Sequence, residues 1–358
     1  MKIKQLAGVL VACALVAAAC SDDGDESAET TTVETTEASS GEMSDEETGA
    51  ATAEETAGDT SEATSDDTAE ESGERTTSEA ITTTTTATDD TVPAADLPQA
   101  IISLSPTATE MLYAIGAGDQ VLAVDEFSNH PPEAADKMQG LSGFEPNVEA
   151  IAGLEPDLVV TDGTNPDFLA QLDTLDIAHW EGPAAADFDD VYAQIEQLGA
   201  ATGHVADAAE LVASMRTEIG LVGDEVPELD QPLTYYHELD PTLFSATSET
   251  FIGAVYAELG LVNIADAVGD GNPFPQLNAE FIIDENPVLI FLADTKCCGE
   301  SADSVASRPG WGDLDAVANN GVIEMDDDIA SRWGPRIVDY LRLAAKAVIN
   351  AAAPTEVG

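Results

Sequence analysis

Positively charged residues are scarce in this sequence, in which 11 Lys and Arg stand against 70 Asp and Glu and the formal net charge is −59. Such a charge argues against nucleic acid or an anionic lipid surface as a partner, because both carry the same sign. Residues 98–358 alone hold 46 acidic and 8 basic side chains. The argument therefore also applies to the part of the chain that is long enough to form a core.

Residues that would carry catalysis are missing as well. The segment "GESAD", residues 299–303, is not the nucleophile elbow of hydrolases, because its second glycine is absent. No phosphate-binding loop or glycine-rich dinucleotide turn occurs. The histidines show no metal-ligand spacing; they are His130, His179, His204 and His237. His179 and His237 lie in strand-like runs, where core or strand-end roles are expected. We therefore expect a protein that is not an enzyme and has no cofactor or metal of its own.

The apolar run at the N-terminus, residues 5–19, is too short for the ~20 residues of a membrane-spanning helix. It follows two lysines and is typical of a secretory signal. It ends in "AAAC", residues 17–20, which resembles the bacterial lipobox, with Ala in place of the usual first Leu. We predict a lipoprotein signal peptide over 1–19 and diacylation of Cys20, which would anchor the protein stably. The alternative is an ordinary signal peptide with a chance cysteine.

An acidic segment follows the predicted anchor. Residues 21–97 contain 24 Asp and Glu, one basic residue, 20 Thr and no aromatic residue. Such a composition cannot bury enough apolar surface to fold, and its like charges repel one another. We predict that residues 20–97 form a disordered linker with a reach of roughly 50 Å. Whether it is a glycosylated stalk or a plain spacer stays open.

An α/β fold is predicted from the strand and helix signals that alternate after residue 98. Short apolar runs such as "AIISL" and "PVLIFLAD" are typical of buried strands, and helical patterns follow them. Apolar residues at three- or four-residue spacing predict a long helix near 207–225, after which the alternation restarts. This indicates two lobes, each with a mostly parallel sheet flanked by helices, over 98–202 and 229–358, joined by a helix within 203–228. A ligand cleft is expected between the lobes.

Five segments of residues 98–358 occur in an order that is specific to one family. They are "IISLSPTATEMLYAIGAGDQVLAVDEFSNHPPEA", "PNVEAIAGLEPDLVV", "NAEFIIDENPVLIFLAD", "RPGWGDLDAVANNGVIEMDDD" and "SRWGPRI". Together they resemble the class III substrate-binding proteins of ABC importers, which bind cobalamin, ferric siderophores or haem, and most of all the members that bind vitamin B12. The resemblance implies two lobes with a rigid connecting helix.

The resemblance also implies aromatic walls for a large, rigid ligand. Its N-terminal positions fall on Phe127, His130 and Phe144, and its C-terminal positions on Phe244 and Phe274. Planar side chains suit this role because they bury a large area at little entropic cost. A further aromatic position of the family is occupied by Asp162, which would place a carboxylate in the cleft. The alternative for any single Phe is a place in the core.

Arginine placement gives a further indication of the ligand site. Of the five arginines in residues 98–358, three fall in the last loops, and they are Arg308, Arg332 and Arg336. They suggest an anionic or carbonyl-rich ligand group, or internal pairing with the acidic residues 326–328. Within the resemblance, Arg332 aligns with an arginine of the B12-binding members, and Trp333 could stack on a ligand. Arg332 and Trp333 are therefore predicted to bind the ligand, and Arg336 to pair structurally.

Two glutamates are implied to dock the protein on its permease. In the family one surface Glu of each lobe contacts arginines of the membrane protein, and the matching segments "NVEAI" and "NAEFI" give Glu149 and Glu280. Each follows an Asn near a predicted helix start. The alternative is that they only complement the helix dipole.

Two adjacent cysteines, Cys297 and Cys298, occur in a segment that the B12-binding members do not share. Outside the cell we expect them to oxidise to a vicinal disulfide, which would be strained and easily reduced. A soft-metal site is the alternative, but two cysteines without a nearby His supply only half of a zinc site.

These features together predict an extracytoplasmic, lipid-anchored and monomeric protein. It would capture a cobalamin-like corrinoid or another metal chelate and deliver it to an ABC permease with its ATPase. One alternative is a ferric-siderophore or haem-binding protein of the same importer class. An alternative of a different class is a ligand-sensing surface lipoprotein without transport.

Overall fold

The structure, a computed structural model, describes residues 97–353. The predicted signal peptide, Cys20 and all of the predicted linker except Leu97 lie outside the described residues. Within 97–353 no helix has both the length and the apolar character that a membrane crossing requires.

The N-terminal sheet has five strands, all parallel, in the order β3-β2-β1-β4-β5. The strands are β1 (Ile101–Ser103), β2 (Val121–Asp125), β3 (Met138–Leu141), β4 (Leu158–Thr161) and β5 (His179–Glu181). β1 lies in the centre and is buried along its length, because both of its faces are covered by helices. Parallel pairing brings the carboxyl ends of all five strands to one edge of the sheet, where the loops that follow them meet.

The C-terminal sheet has four strands, also parallel, in the order β7-β6-β8-β9. These strands are β6 (Thr234–Glu238), β7 (Val262–Asn263), β8 (Leu289–Leu292) and β9 (Val322–Glu324). β8 is fully buried, as expected for the apolar run "LIFL" in the middle of a parallel sheet. The predicted α/β fold class, with two parallel sheets flanked by helices, is confirmed.

Helices alternate with these strands. They are α1 (Pro106–Ala114), α2 (Pro132–Ala135), α3 (Val148–Ala152), α4 (Pro166–Thr174), α5 (Phe188–Thr202), α6 (Val205–Glu225), α7 (Phe251–Glu258), α8 (Ala279–Glu285), α9 (Ala302–Ala306), α10 (Asp315–Ala318), α11 (Asp327–Ser331) and α12 (Ile337–Ala352). Several begin at a side-chain cap: the Ser105 hydroxyl accepts the Ala108 N–H at α1, and the Asn165 side chain accepts the Phe168 N–H at α4. Gly203 ends α5 in the left-handed conformation (φ +82°), so the chain turns directly into α6.

The largest hydrophobic cluster contains residues of both sheets together with α5, α6 and α12. Two smaller clusters cover the other face of each sheet. α6 follows the first sheet and precedes the second in the chain, inside the predicted range 203–228. Its rigidity and the predicted lobe boundaries stay predictions.

Candidate functional site

Five of the eight predicted ligand-binding residues lie in loops that follow the carboxyl ends of parallel strands. Phe127 and His130 follow β2, Phe144 follows β3, Asp162 follows β4 and Phe244 follows β6. Loops at this edge are free to vary while the sheet holds their ends, which is why α/β proteins place ligands there.

Phe127 and Phe144 form an exposed aromatic pair. Their ring centroids are 5.3 Å apart with an edge-to-face angle of 73°. Phe127 is 38% and Phe144 53% exposed, so a large part of each side chain is open to solvent. Paired aromatic rings left in solvent are unusual and mark surfaces that bind something apolar. The core alternative therefore does not describe these two residues.

The base of the Phe144 loop is tightly packed. A Cβ atom at Gly143 would lie 2.6 Å from Asp125 Oδ2 and 2.8 Å from the Leu104 carbonyl oxygen, so only glycine fits there. Asp125 is itself buried at the end of β2, and burial raises the pKa of its carboxyl to about 6. The loop that carries Phe144 is thus anchored close to the strand ends.

His130 and Asp162 are half-buried on the same lobe. His130 precedes Pro131 through a cis peptide bond. Asp162 Oδ1 accepts hydrogen bonds from the Thr164 N–H (2.9 Å) and the Thr164 hydroxyl (2.8 Å), which is an Asx turn. One oxygen of this carboxylate is thus engaged within its own loop, and its role toward a ligand stays a prediction.

Phe244 and Phe274 belong to one antiparallel ribbon in the C-terminal lobe. Phe244 pairs with Gln276, and the Ser245 and Thr247 N–H groups donate to carbonyl oxygens of the facing segment, 273–277, at 2.9 Å. Both phenylalanines are half-buried, and Phe274 also contacts the main hydrophobic cluster. The structure therefore places these two predicted residues on one element, with a smaller open surface than the N-terminal pair.

Arg332 is 6% exposed and is surrounded by acceptors. Its guanidinium donates to Glu110 Oε1 (2.9 Å), Asn129 Oδ1 (2.9 Å), the Phe127 carbonyl oxygen (3.0 Å) and Asp328 Oδ1 (2.8 Å). All four terminal N–H directions are thus used within the protein. The ligand contact that the sequence suggested for Arg332 stays a prediction, and this geometry favours the internal pairing that was its alternative.

Trp333 is also engaged within the protein. Its indole N–H donates to Gln194 Oε1 at 3.0 Å, and its ring lies 5.6 Å from the ring of Phe251. The Gln194 amide in turn donates to the Pro183 carbonyl oxygen at 2.7 Å, so Trp333 joins α5 and the loop after β5 to the C-terminal segment. Stacking of Trp333 on a ligand stays a prediction.

Glu110, which the sequence did not single out, lies at the centre of this junction. Its side chain is 2% exposed on α1. It accepts from Arg332 and also from Arg336, whose Nε and Nη2 lie 2.8 and 2.5 Å from its two oxygens. The structural pairing expected for Arg336 is therefore present. A buried carboxylate needs such partners, because an unpaired charge away from water is costly.

A second buried ionic cluster, also unforeseen, lies behind the C-terminal sheet edge. Arg308 donates to both oxygens of Glu238 (2.6 and 2.5 Å) and to Glu300 (2.7 Å), and it lies over the Trp311 ring. Asp294, just after β8, is fully buried, and neither of its carboxyl oxygens has a hydrogen-bond partner within residues 97–353. Burial and the neighbouring Glu238 and Glu300 charges raise the pKa of Asp294 to about 8.

Cys297 and Cys298 are exposed free thiols, so the predicted disulfide is not formed in this structure. The surrounding loop has its own anchor. The Asp327 carboxylate accepts the N–H groups of Thr295, Lys296 and Cys297 at 2.8 to 2.9 Å. These bonds hold the loop in a turn that needs no cross-link between the sulfur atoms. Oxidation of the two thiols outside the cell stays a prediction.

Glu149 and Glu280 occupy equivalent places in the two lobes. Each is exposed and lies two residues after an asparagine N-cap, Asn147 at the start of α3 and Asn278 at the start of α8. The matched placement is what the docking hypothesis requires, and the caps are also what the helix-dipole alternative requires. Within 97–353 no group of three or more His, Cys, Asp or Glu is arranged to hold a metal ion.

The fold and these loops match a known family. Its model, described as periplasmic binding protein, matches residues 101–329, well over half of the chain. The chain belongs to this family. The predicted resemblance to class III substrate-binding proteins of ABC importers is thereby confirmed.

Two relatives and one solved structure illustrate the similarity. The chain is 28% identical over 259 residues to the uncharacterized ABC transporter substrate-binding lipoprotein YvrC of Bacillus subtilis, covering 70% of this chain and 80% of that protein. It is 30% identical over 261 residues to a cobalamin-binding protein of Halobacterium salinarum, covering 71% and 70%. The periplasmic vitamin B12 binding protein BtuF of Vibrio cholerae matches with a TM-score of 0.62 at 26% identity, over 71% of this chain and 98% of that chain.

Proposed function

We propose that this protein is an extracytoplasmic substrate-binding protein that captures a corrinoid and delivers it to an ABC permease. Family membership and the names of its relatives support the class. The observation that supports the ligand is the exposed edge-to-face pair of Phe127 and Phe144 at the carboxyl ends of β2 and β3. A large, rigid and partly apolar ligand would cover both rings.

The expected contribution of this pair follows from its open surface. Covering the exposed 38% and 53% of two phenyl side chains removes roughly 80 and 100 Å² from water. At about 25 cal/mol per Å² each ring would contribute about 2 kcal/mol, or roughly 30-fold in affinity. Since no ligand covers a ring fully, we expect a loss of about tenfold for each Phe→Ala substitution.

A ferric siderophore receives less support from the arginines than the sequence suggested. Arg308, Arg332 and Arg336 were the candidates for the oxygens of a ferric complex, and all three donate to buried carboxylates of the protein. Recruiting Arg308 for a ligand would leave the buried Glu238 unpaired, at a cost of several kcal/mol. Recruiting Arg332 or Arg336 would remove one of the two cations that share the buried Glu110. This favours a ligand recognised through apolar planes over one recognised through anionic oxygens.

Calorimetric titration of the purified protein with cyanocobalamin, haem and a ferric hydroxamate tests the ligand. We expect saturable binding of cyanocobalamin near one per chain, weakened about tenfold in F127A and in F144A. Leu175→Ala is the matched control, because Leu175 is 49% exposed on the same lobe and follows α4. Saturable binding of the ferric complex alone would reassign the ligand, and binding of none would refute the corrinoid proposal.

Delivery to a permease rests on Glu149 and Glu280, and tethering to the membrane rests on Cys20. The lipid keeps the protein beside the permease, and the linker over 20–97 provides the reach. Cys20→Ser should release the exported protein from the membrane fraction and abolish incorporation of labelled fatty acid. Unchanged labelling would refute the anchor. If ligand uptake is unchanged when Glu149 and Glu280 are replaced, the result would instead support a docking surface elsewhere.

A further inference from the structure

The loop after β2, which carries Phe127, is held by few bonds of its own. Within residues 126–130 the Glu126 N–H donates to the Leu141 carbonyl oxygen, and the Asn129 N–H donates back to the Phe127 carbonyl oxygen at 2.9 Å. The Ser128 N–H reaches the Asp125 carbonyl oxygen only at 3.4 Å, while the buried Ser128 hydroxyl forms a hydrogen bond with the Thr109 hydroxyl at 2.9 Å. The Phe127 side chain is 38% exposed and packs edge-to-face on Phe144. Ser128 is thus anchored, while Phe127 and Asn129 on either side of it are exposed and need a further support to hold the ring in one direction.

That support comes from the distant C-terminal segment. Arg332 Nη2 donates to the Phe127 carbonyl oxygen at 3.0 Å, and Nη1 donates to Asn129 Oδ1 at 2.9 Å. The Asn129 amide completes a cycle of hydrogen bonds by donating to Asp328 Oδ2 at 3.1 Å, while Asp328 Oδ1 accepts from Arg332. Two residues of the loop are therefore fastened to two residues of the segment around α11.

We propose that Arg332 is a positioning residue, which fixes the direction of the Phe127 ring by holding the backbone of its loop, and does not itself contact the ligand. This proposal rests on the proposed function for its effect on affinity. A ring that is already oriented loses less freedom when the ligand arrives, so the support raises affinity without adding a contact.

The planar fork of arginine suits this role. One guanidinium reaches acceptors on Glu110, Asn129, Phe127 and Asp328, which lie in four directions in its plane. A lysine would keep the positive charge beside the two carboxylates but could not also hold the two acceptors of the loop. The positioning role therefore predicts that R332K releases the loop and weakens ligand binding almost as much as R332Q does.

Arg336 supplies a matched control. It pairs with the same buried carboxylate, Glu110, but makes no hydrogen bond to the loop of residues 126–130. Conversely, removal of Arg332 leaves Glu110 with both bonds from Arg336, so R332Q does not strand a buried charge. R332Q and R336Q thus both disturb the ion pairs, while only the first releases the loop.

The test combines hydrogen exchange with cobalamin titration on the whole protein. In the unliganded protein, amide exchange over residues 126–130 should rise at least about fivefold in R332Q and R332K and stay near the wild-type rate in R336Q. Cyanocobalamin affinity should fall about tenfold in R332Q but less than twofold when R332Q is added to F127A, because the effect acts through that ring. Asn129→Ala removes one of the two bonds from Arg332 to the loop and leaves the ion pairs with Glu110. It should raise loop exchange in the same direction, and it serves as the test if R332Q does not fold.

Loop exchange at the wild-type rate in R332Q and N129A would overturn the proposal, and so would an equal affinity loss with and without Phe127. Rescue of both loop exchange and affinity by R332K would show that charge alone matters and would overturn it as well. If the wild-type protein does not bind cyanocobalamin, the proposed function fails, while the exchange measurement still decides whether Arg332 positions the loop.

Discussion

The fully buried Asp294 carboxyl predicts an unusual dependence of stability on pH. It lies beside Glu238 and Glu300, and one guanidinium, that of Arg308, serves the neighbouring carboxylates. Neither oxygen of Asp294 receives a hydrogen bond within 97–353. A proton on Asp294 would remove one negative charge and supply a donor toward Glu238. We therefore expect Asp294 to be protonated in the folded protein at neutral pH.

The magnitude follows from the two pKa values. Burial first, and then the adjacent carboxylates, raise the pKa of Asp294 from 3.8 to about 8. Between these values the folded state holds a proton that the unfolded state has released, so stability falls as pH rises. Each pH unit in this window costs about 1.4 kcal/mol, which amounts to about 3 kcal/mol between pH 5 and pH 7. Asp294→Asn removes this cost, because the amide is neutral and can donate to Glu238.

Urea unfolding of the wild type and of D294N at pH 5, 6 and 7 measures the difference. We expect D294N to gain about 3 kcal/mol relative to the wild type across this range and to be the more stable protein at pH 7. Asp313→Asn is the control, because Asp313 is exposed in the same lobe and the same charge is lost. Asp125 titrates in part of this window, but it is present in all three proteins, so its contribution to the stability difference cancels. Parallel stability curves for the wild type and D294N would refute a protonated Asp294.

Further outcomes follow from the same contacts. Gly143→Ala should destabilise the fold by about 1–3 kcal/mol in urea unfolding, because the new Cβ would lie 2.6 Å from a carboxylate oxygen; equal stability would contradict the close packing. Gly220→Ala, in the exposed interior of α6 with nothing within 4 Å, should stabilise it by about 1 kcal/mol, and a loss there would contradict the open space. Replacing Glu149 and Glu280 together by Gln should abolish transport in a reconstituted uptake assay while ligand affinity stays constant, and unchanged uptake would refute docking. Local desolvation, the neighbouring thiol and a nearby carboxylate raise the pKa of the Cys297 thiol. In the reduced protein at pH 8 this thiol should therefore react with iodoacetamide more slowly than a free thiol, and an equal rate would refute this.

Much of the fold could be predicted because its central strands are buried on both faces. β8 consists of continuous apolar residues, and β1 contains two isoleucines followed by the buried Ser103; such apolar runs identify strands of parallel sheets. β3, with the sequence Met-Gln-Gly-Leu, was missed because it lacks both an apolar run and a clean alternation. β7 has only two residues, which is too short for any periodic signal.

Some residues of the candidate site could also be predicted from the sequence, and others could not. The residues at strand ends, such as Phe127 and Phe144, could be found by resemblance because the family places its walls there. The partnership of Glu110 with Arg332 could not, since 222 positions separate them and only the folded chain brings them together. Two arginines four residues apart in a chain with so few basic residues were the available signal. Asp294 gave no signal, because burial of a carboxylate is a property of the packed structure.

The central claim is that the Phe127–Phe144 pair binds a corrinoid. Equilibrium dialysis of cyanocobalamin against the wild type, the F127A/F144A double variant and the L175A control tests it most directly. The account predicts about one ligand retained per chain by the wild type and L175A, and an affinity reduced by more than about tenfold in the double variant; the two losses need not multiply, because the two rings contact each other. Equal retention by the double variant, or none by the wild type, would contradict it.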